Sequence, residues 1–184
     1  MTRAFAVTLN ALGLYALALV LAAAFAAQLL LGELPCPLCL LQRLQFTMLA
    51  IGPIMNIRWG PRPSHYALSL LAAAVGMAFS TRQVLLHIMP GDAGYGSALM
   101  GYHYYTWALI GFIAAIVLLA SILLVDRQFD DTAPQPISSG AFAQAAVWLV
   151  IGLTALNVAS TLLECGFGGC ADNPIVYELL KRAA

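Results

Sequence analysis

The chain has 184 residues, 62% of them hydrophobic and 9% charged, with a mean hydropathy of +0.88. A water-soluble domain carries roughly a quarter charged residues, so a soluble fold is excluded. Eight basic and eight acidic residues leave a formal net charge of zero. That removes the electrostatic case for a nucleic-acid partner and leaves the lipid bilayer as the expected surroundings.

Five apolar runs follow one another along the chain, at 4–31, 40–57, 66–89, 104–125 and 141–163. Each is long enough to cross a hydrocarbon layer of about 30 Å as a helix rising about 1.5 Å per residue. The first run holds Ala24-Phe25-Ala26, which resembles a signal-peptidase site, behind a basic Arg3. Its apolar stretch far exceeds the roughly 7–15 residues of a signal core, which favours a retained helix. The second run has Arg43 near its start and Pro53 inside, so a kinked or frayed cytoplasmic end is expected. The third has Arg82 near its end. A Gly-rich loop at 90–103 is expected to be exterior and mobile. Tyr102, Tyr104, Tyr105 and Trp107 cluster where the fourth run enters the membrane, the composition of an interfacial aromatic belt. Residues 126–140 read as a polar, proline-containing cytoplasmic linker. After the fifth run, the tail from Pro174 reads as a short amphipathic helix with Ile175, Val176, Leu179 and Leu180 on its apolar face.

The expected fold class is an all-α membrane protein: a four-helix transmembrane bundle core over about 4–125 plus a fifth transmembrane helix. Together with the cysteine-bearing tail (141–184), the chain forms a single integral membrane domain over 1–184. Placing the N-terminus inside puts Arg3, Arg58, Arg62 and Arg127 in the cytoplasm and Arg43, Arg82, Lys181 and Arg182 outside. Those numbers are equal, so the count decides nothing. The two arginines of the short loop "RWGPRPSH" favour the N-terminus inside. Parity says more. With five spans, the segment after the first and the segment after the fifth lie on one face. Cys36, Cys39, Cys165 and Cys170 therefore share one compartment, the exterior in this orientation, where disulfides persist.

Four cysteines as C-x2-C and C-x4-C allow a zinc site, structural crosslinks or a redox relay. No histidine stands beside either pair, and no metal ligand is assigned. A C-x2-C disulfide closes so short a loop that it constrains the unfolded chain little. Pro35 and Pro37 flank Cys36, and Pro37 suits the first helical position. Cys36 is then expected at the helix N-cap, where free N–H groups and the helix dipole favour a thiolate. Cys36, Cys39 and Arg43 fall on one helical face. A charge inside a membrane helix points to function, although an arginine near the interface can also snorkel to head groups. Glu164 and Asp172 flank the second pair and read as solvated carboxylates. The plainer alternative for the Cys165–Cys170 pair is a fixed loop closure.

"PCPLC" followed by "LLQR" at the start of a second membrane helix resembles the DsbB family of bacterial disulfide-bond formation proteins. "RQVLLHIMP" (82–90) is similar to that family too, and the likeness extends over about residues 5–125. The resemblance implies a quinone-reducing thiol oxidase engaged in electron transport in the bacterial inner membrane. It reoxidises a periplasmic, DsbA-like thioredoxin-fold protein and passes electrons through two cysteine pairs to a membrane quinone, ubiquinone or menaquinone. Carried over by motif, Cys36 and Cys39 are the pair next to the quinone and Arg43 holds its head group. Gln42, Gln83 and His87 are further candidates for the quinone site, with a solvent-facing Gln42 and a packing role for the other two as the plainer readings. The family's second pair lies between helices three and four, but residues 90–103 hold no cysteine. Cys165 and Cys170 are expected to replace it. The competing expectation is a non-enzymatic membrane protein whose four cysteines bind a metal or sense redox state.

Overall fold

The computed structural model describes residues 2–129 and 140–183. Its helices are α1 (Arg3–Leu30), α2 (Pro37–Leu49), α3 (Ile51–Trp59), α4 (Pro63–Leu86), α5 (Tyr104–Leu123), α6 (Ala141–Cys165) and α7 (Glu178–Ala183). Because α2 and α3 are two halves of one segment, the described residues contain five spans long and apolar enough to cross a membrane. The protein is an all-α, multi-pass membrane protein. Among the described residues, strand is confined to a small antiparallel hairpin between α4 and α5, with β1 (Ala98–Leu99) paired to β2 (Tyr102–His103).

The second span is interrupted at Ala50 rather than frayed at its end. Pro53 has no N–H to give the carbonyl of Leu49, four residues back. The Ser69 hydroxyl of α4 donates to that carbonyl instead, at 2.8 Å. The helix then resumes at Ile51 and runs to Trp59. Gly52 makes the close approach possible, since any Cβ there would collide with Ser69 Oγ and the His65 carbonyl.

Helices in lipid gain nothing from hiding apolar surface, so close contact between small residues carries much of the association. One core joins Val7, Ala11, Leu14 and Ala18 of α1 to Ala143, Ala146 and Val150 of α6, with Ala50 and Ile57 beside them. The other joins Leu21, Phe46, Leu49, Tyr66, Ala73 and Phe112, and so ties α1, α2, α4 and α5 together. Phe112 stacks on Phe46 with ring centroids 4.1 Å apart and seats against Gly76, where a Cβ would strike the ring. Leu19, Leu71, Val117 and Trp148 stay exposed on the outside, as a lipid-facing surface requires. Far along the spans from the cysteines, Asn10 Nδ2 donates to Tyr66 OH (3.0 Å) and Asn56 Nδ2 to Asn10 Oδ1 (3.0 Å). Tyr66 OH donates in turn to Gln128 Oε1 (3.1 Å), anchoring the short turn Asp126–Gln128. Most of the expected linker, 130–139, lies outside the described residues.

One element differs from the sequence expectation. The tail helix begins at Glu178, not near Pro174. Gln28 Nε2 donates to Tyr177 OH at 3.0 Å, which pins the chain just ahead of the helix and leaves Ile175 exposed. The 90–103 loop is organised by contacts to residues 33–34. Tyr95 OH donates to the Leu34 carbonyl at 2.6 Å, and Ser97 Oγ donates to Glu33.

Candidate functional site

The start of α2 builds the first half of the site. Cys36 is the N-cap, in extended conformation, and its sulfur accepts the Cys39 N–H at 3.2 Å. Pro37 follows at the first helical position, where a missing N–H costs nothing. Cys36 and Cys39 are joined as a disulfide with Cα atoms 5.0 Å apart. Gln83 reaches in from α4, almost wholly buried. Its Nε2 donates to Cys36 Sγ at 3.2 Å and to Cys39 Sγ at 3.4 Å. Its Oε1 accepts from Gln42 Nε2 at 2.8 Å. Gln42 is therefore buried, not solvent-facing, because the face of α2 that carries it packs on α4. Amide and helix N–H groups aimed at a sulfur favour its anionic form.

Beside this pair lies a cavity of about 440 Å³, of the size that takes a drug-sized ligand. Its wall is mostly apolar, with Cys39, Gln42 and Arg43 contributed by α2. Cys36 is not on the wall, so of the pair only Cys39 borders the cavity. Arg43 is held from behind: Nη1 donates to Gln28 Oε1 at 2.6 Å and Nη2 to the Ala24 carbonyl at 2.9 Å. Its guanidinium also lies 5.6 Å from the Phe25 ring centroid. These contacts fix the group in place of simple snorkelling. An arginine has five N–H donors, so others stay available for an acceptor in the cavity.

Tyr104, Tyr105 and Trp107 line the cavity as well, while Tyr102 is exposed and meets Trp107 edge-on. The belt expectation thus covered residues that also form a wall. The hairpin loop closes one end, with Tyr95, Gly96 and Leu99 on the lining. Burial, with Glu164 and Glu33 nearby, holds the Tyr95 phenol above the usual tyrosine range. His87 does not line the cavity. It stacks with Tyr105 and lies 3.0 Å from Asp92 Oδ1, which also accepts the Gly94 N–H at 2.7 Å. Those donors, the Gly94 amide foremost, hold the Asp92 carboxyl below the usual range. Arg82 is exposed at the end of α4.

The second pair sits where α6 ends. Cys165 and Cys170 form a disulfide with Cα atoms 4.5 Å apart. Gly166 ends the helix at φ +66°, a conformation that favours glycine. Phe167 stands out at 89% exposed. Each cysteine pair is closed on itself, and among the described residues no group of three or more His, Cys, Asp or Glu side chains is placed to hold a metal ion.

Asp172 is exposed as expected, but Glu164 is 2% exposed, which corrects its reading as a solvated carboxylate. The last turn of α6 is covered by the tail, which packs back on it. Sequence reasoning also passed over Gln28, a buried polar residue in an otherwise apolar run. That isolation was its available signal.

Residues 6–95 match the family model described as "Disulfide bond formation protein DsbB". The matched segment includes Cys36, Cys39, Arg43 and Gln83. It stops short of α5, α6 and the second cysteine pair, and so is narrower than the 5–125 expected. The chain is 42% identical over 86 residues to "Disulfide bond formation protein B" of Xanthomonas axonopodis pv. citri (strain 306), covering 44% of this chain and 50% of that protein. The same identity and coverage hold for the protein of that name in Xanthomonas oryzae pv. oryzae (strain MAFF 311018). For Xanthomonas campestris pv. campestris (strain 8004) the identity is 41%, with the same coverage. The chain thus spans about half the length of the curated relatives it matches. No solved structure matches.

Proposed function

We propose that this chain, whose residues 6–95 belong to the DsbB family of disulfide bond formation proteins, is a disulfide-generating membrane oxidoreductase. It takes electrons from a soluble thioredoxin-fold dithiol protein of the DsbA kind. They pass through Cys165–Cys170 to Cys36–Cys39 and on to a membrane quinone. The single observation that carries the reading is that Cys39 and Arg43 share the wall of one apolar cavity. The cavity suits a quinone: its lining is largely apolar, aromatic rings stand on one side, and a fixed guanidinium offers hydrogen bonds to an oxygen. A quinone bound there supplies a two-electron acceptor that takes up two protons on reduction.

The chain's own residues divide the rest of the work. The N-cap position and Gln83 stabilise sulfur as a thiolate, the species that attacks in disulfide exchange. Arg43 stabilises negative charge that develops on an acceptor oxygen. Gln28 and the Ala24 carbonyl keep Arg43 aimed, so little reorganisation is needed when charge appears. Cys165 is buried and Cys170 half-buried, so a partner approaches the pair from the glycine-bordered turn after α6, with Phe167 as an apolar contact. In this reading the whole chain acts as one integral domain of a bacterial inner membrane, with the N-terminus cytoplasmic and both cysteine pairs periplasmic. The bacterial sources of the relatives support that setting.

The test is thiol-driven reduction of a soluble quinone by purified protein. Cys36→Ala is expected to abolish it. Reduction by that variant at the wild-type rate would sink the scheme.

A further inference from the structure

Glu164 is a buried acid that the scheme above does not use. It lies in the last turn of α6, directly before Cys165. It is 2% exposed, and neither carboxyl oxygen has a hydrogen-bond partner. An acid buried without a hydrogen-bond partner is costly and marks a group kept for its charge or its proton. Arg43 acts on it electrostatically, yet the two form no ion pair among the described residues. Arg43 instead spends two N–H groups on neutral acceptors, Gln28 and Ala24. Gln28 binds the same assembly to α6, donating to Ser160 Oγ at 2.7 Å, one turn before Glu164. Glu164 is not on the cavity wall. Its influence on the cavity therefore runs through Arg43.

In a poorly polarisable interior, the charge state of Glu164 decides how much of the guanidinium's charge reaches the cavity. An ionised Glu164 offsets Arg43, and a neutral one leaves Arg43 whole for an anion on its other side. We propose that Glu164 is the charge-balancing residue of the Arg43 cavity: it takes up a proton when negative charge enters beside Arg43 and releases it when that charge leaves. It is a positioning residue, and the inference rests on the cavity being an acceptor site. Over one oxidation of the Cys36/Cys39 dithiol, two S–H bonds break and one S–S bond forms. Two electrons and two protons pass to the quinone. The proton held by Glu164 is borrowed and returned, so that sum is unchanged. The other titratable or charged groups around this assembly are Arg43 on α2, Tyr177 in the tail, and Tyr95 with Glu33 at the loop. Glu164 belongs to a helix outside the family-matched segment, so this device is tied to the added span.

Isothermal titration calorimetry on the fully oxidised, purified chain tests it. The probe is lawsone, a hydroxynaphthoquinone that is an anion at neutral pH, titrated in buffers of different ionisation enthalpy to count protons. Unsubstituted naphthoquinone is the uncharged control. Wild type and Glu164→Asp are expected to take up a clear fraction of a proton per lawsone bound, and Glu164→Gln about none. All three are expected to bind the uncharged ring equally. Equal proton uptake by wild type and Glu164→Gln overturns the inference and leaves the cavity reading intact. Loss of uncharged-ring binding in both variants makes Glu164 merely structural and overturns it too. Failure of wild type to bind either ring overturns the cavity reading, and the inference with it.

Discussion

The two cysteine pairs are alike in chemistry and in burial, each with one buried and one half-buried cysteine, and differ in what surrounds them. Cys36–Cys39 is tied into the bundle by polar contacts: Gln83 donates to both sulfurs, and Arg43 stands further along the same helix. Cys165–Cys170 closes a turn bordered by glycine, with Phe167 projecting from it and no amide side chain donating to its sulfurs among the described residues. A relay needs such a contrast. The inner pair must be held against its electron acceptor, and the outer pair must reach a protein that comes and goes. The contrast also follows the family match, which contains the inner pair and leaves out the outer one.

The comparison breaks most visibly at the inner pair. Replacing Cys39 with Ala is expected to cut thiol-driven quinone reduction more than about a hundredfold, since one sulfur cannot form the disulfide that the two-electron step requires. Quinone absorbance follows the loss directly. Arg43→Ala is the next largest. Loss of a charged hydrogen bond costs about 1.5–3 kcal/mol, so the KM for quinone is expected to rise about ten- to a hundredfold. Steady-state kinetics with varied quinone check it, and a KM within twofold of wild type would remove Arg43 from the site.

Gln83→Ala probes what holds the inner pair. It strips a donor from both sulfurs and strands the buried Gln42 amide. A stranded buried polar group costs about 1–3 kcal/mol, so thermal unfolding is expected to shift downward. A substitution beside the outer pair, such as Phe167→Ala, is expected to leave unfolding unchanged, because that ring is exposed.

The smallest effect is a pH dependence in the loop that closes the cavity. The Asp92 carboxyl is held low by the Gly94 amide and His87. A depressed folded value means the contact stabilises the loop above the ordinary carboxylate range and is lost as pH falls through the folded value. Exchange of the Gly94 amide, corrected for its intrinsic rate, is expected to lose protection at acidic pH in the wild type. Asp92→Asn is expected to show no such step, and a step that survives the substitution would assign it to another group.

Much of this architecture was legible because the bilayer imposes length and composition. Five apolar runs became five spans. Pro53 marked the interruption of the second span, since the missing N–H is a property of the residue itself. Cys36 at the N-cap followed from Pro37 by the same local logic. What escaped depends on which helix faces which. Gln42 looked solvated until α4 was packed on its face. Glu164 was assigned to water because a carboxylate before a Gly-rich turn usually is. Tyr177, latched to Gln28, helps bring the tail back against α6. Tyr104, Tyr105 and Trp107 carried a belt signature, and a periodic pattern does not tell a belt from a cavity wall when a hairpin folds back over the helix start.

The account stands or falls on whether the outer pair is a shuttle or a staple. The direct measurement uses a Cys165→Ala/Cys170→Ala double variant with two electron donors, a reduced thioredoxin-fold dithiol protein and dithiothreitol. If the outer pair carries electrons inward, quinone reduction by the protein donor is lost, while dithiothreitol still drives the inner pair. Undiminished reduction with the protein donor would contradict the relay and leave Cys165–Cys170 a loop closure.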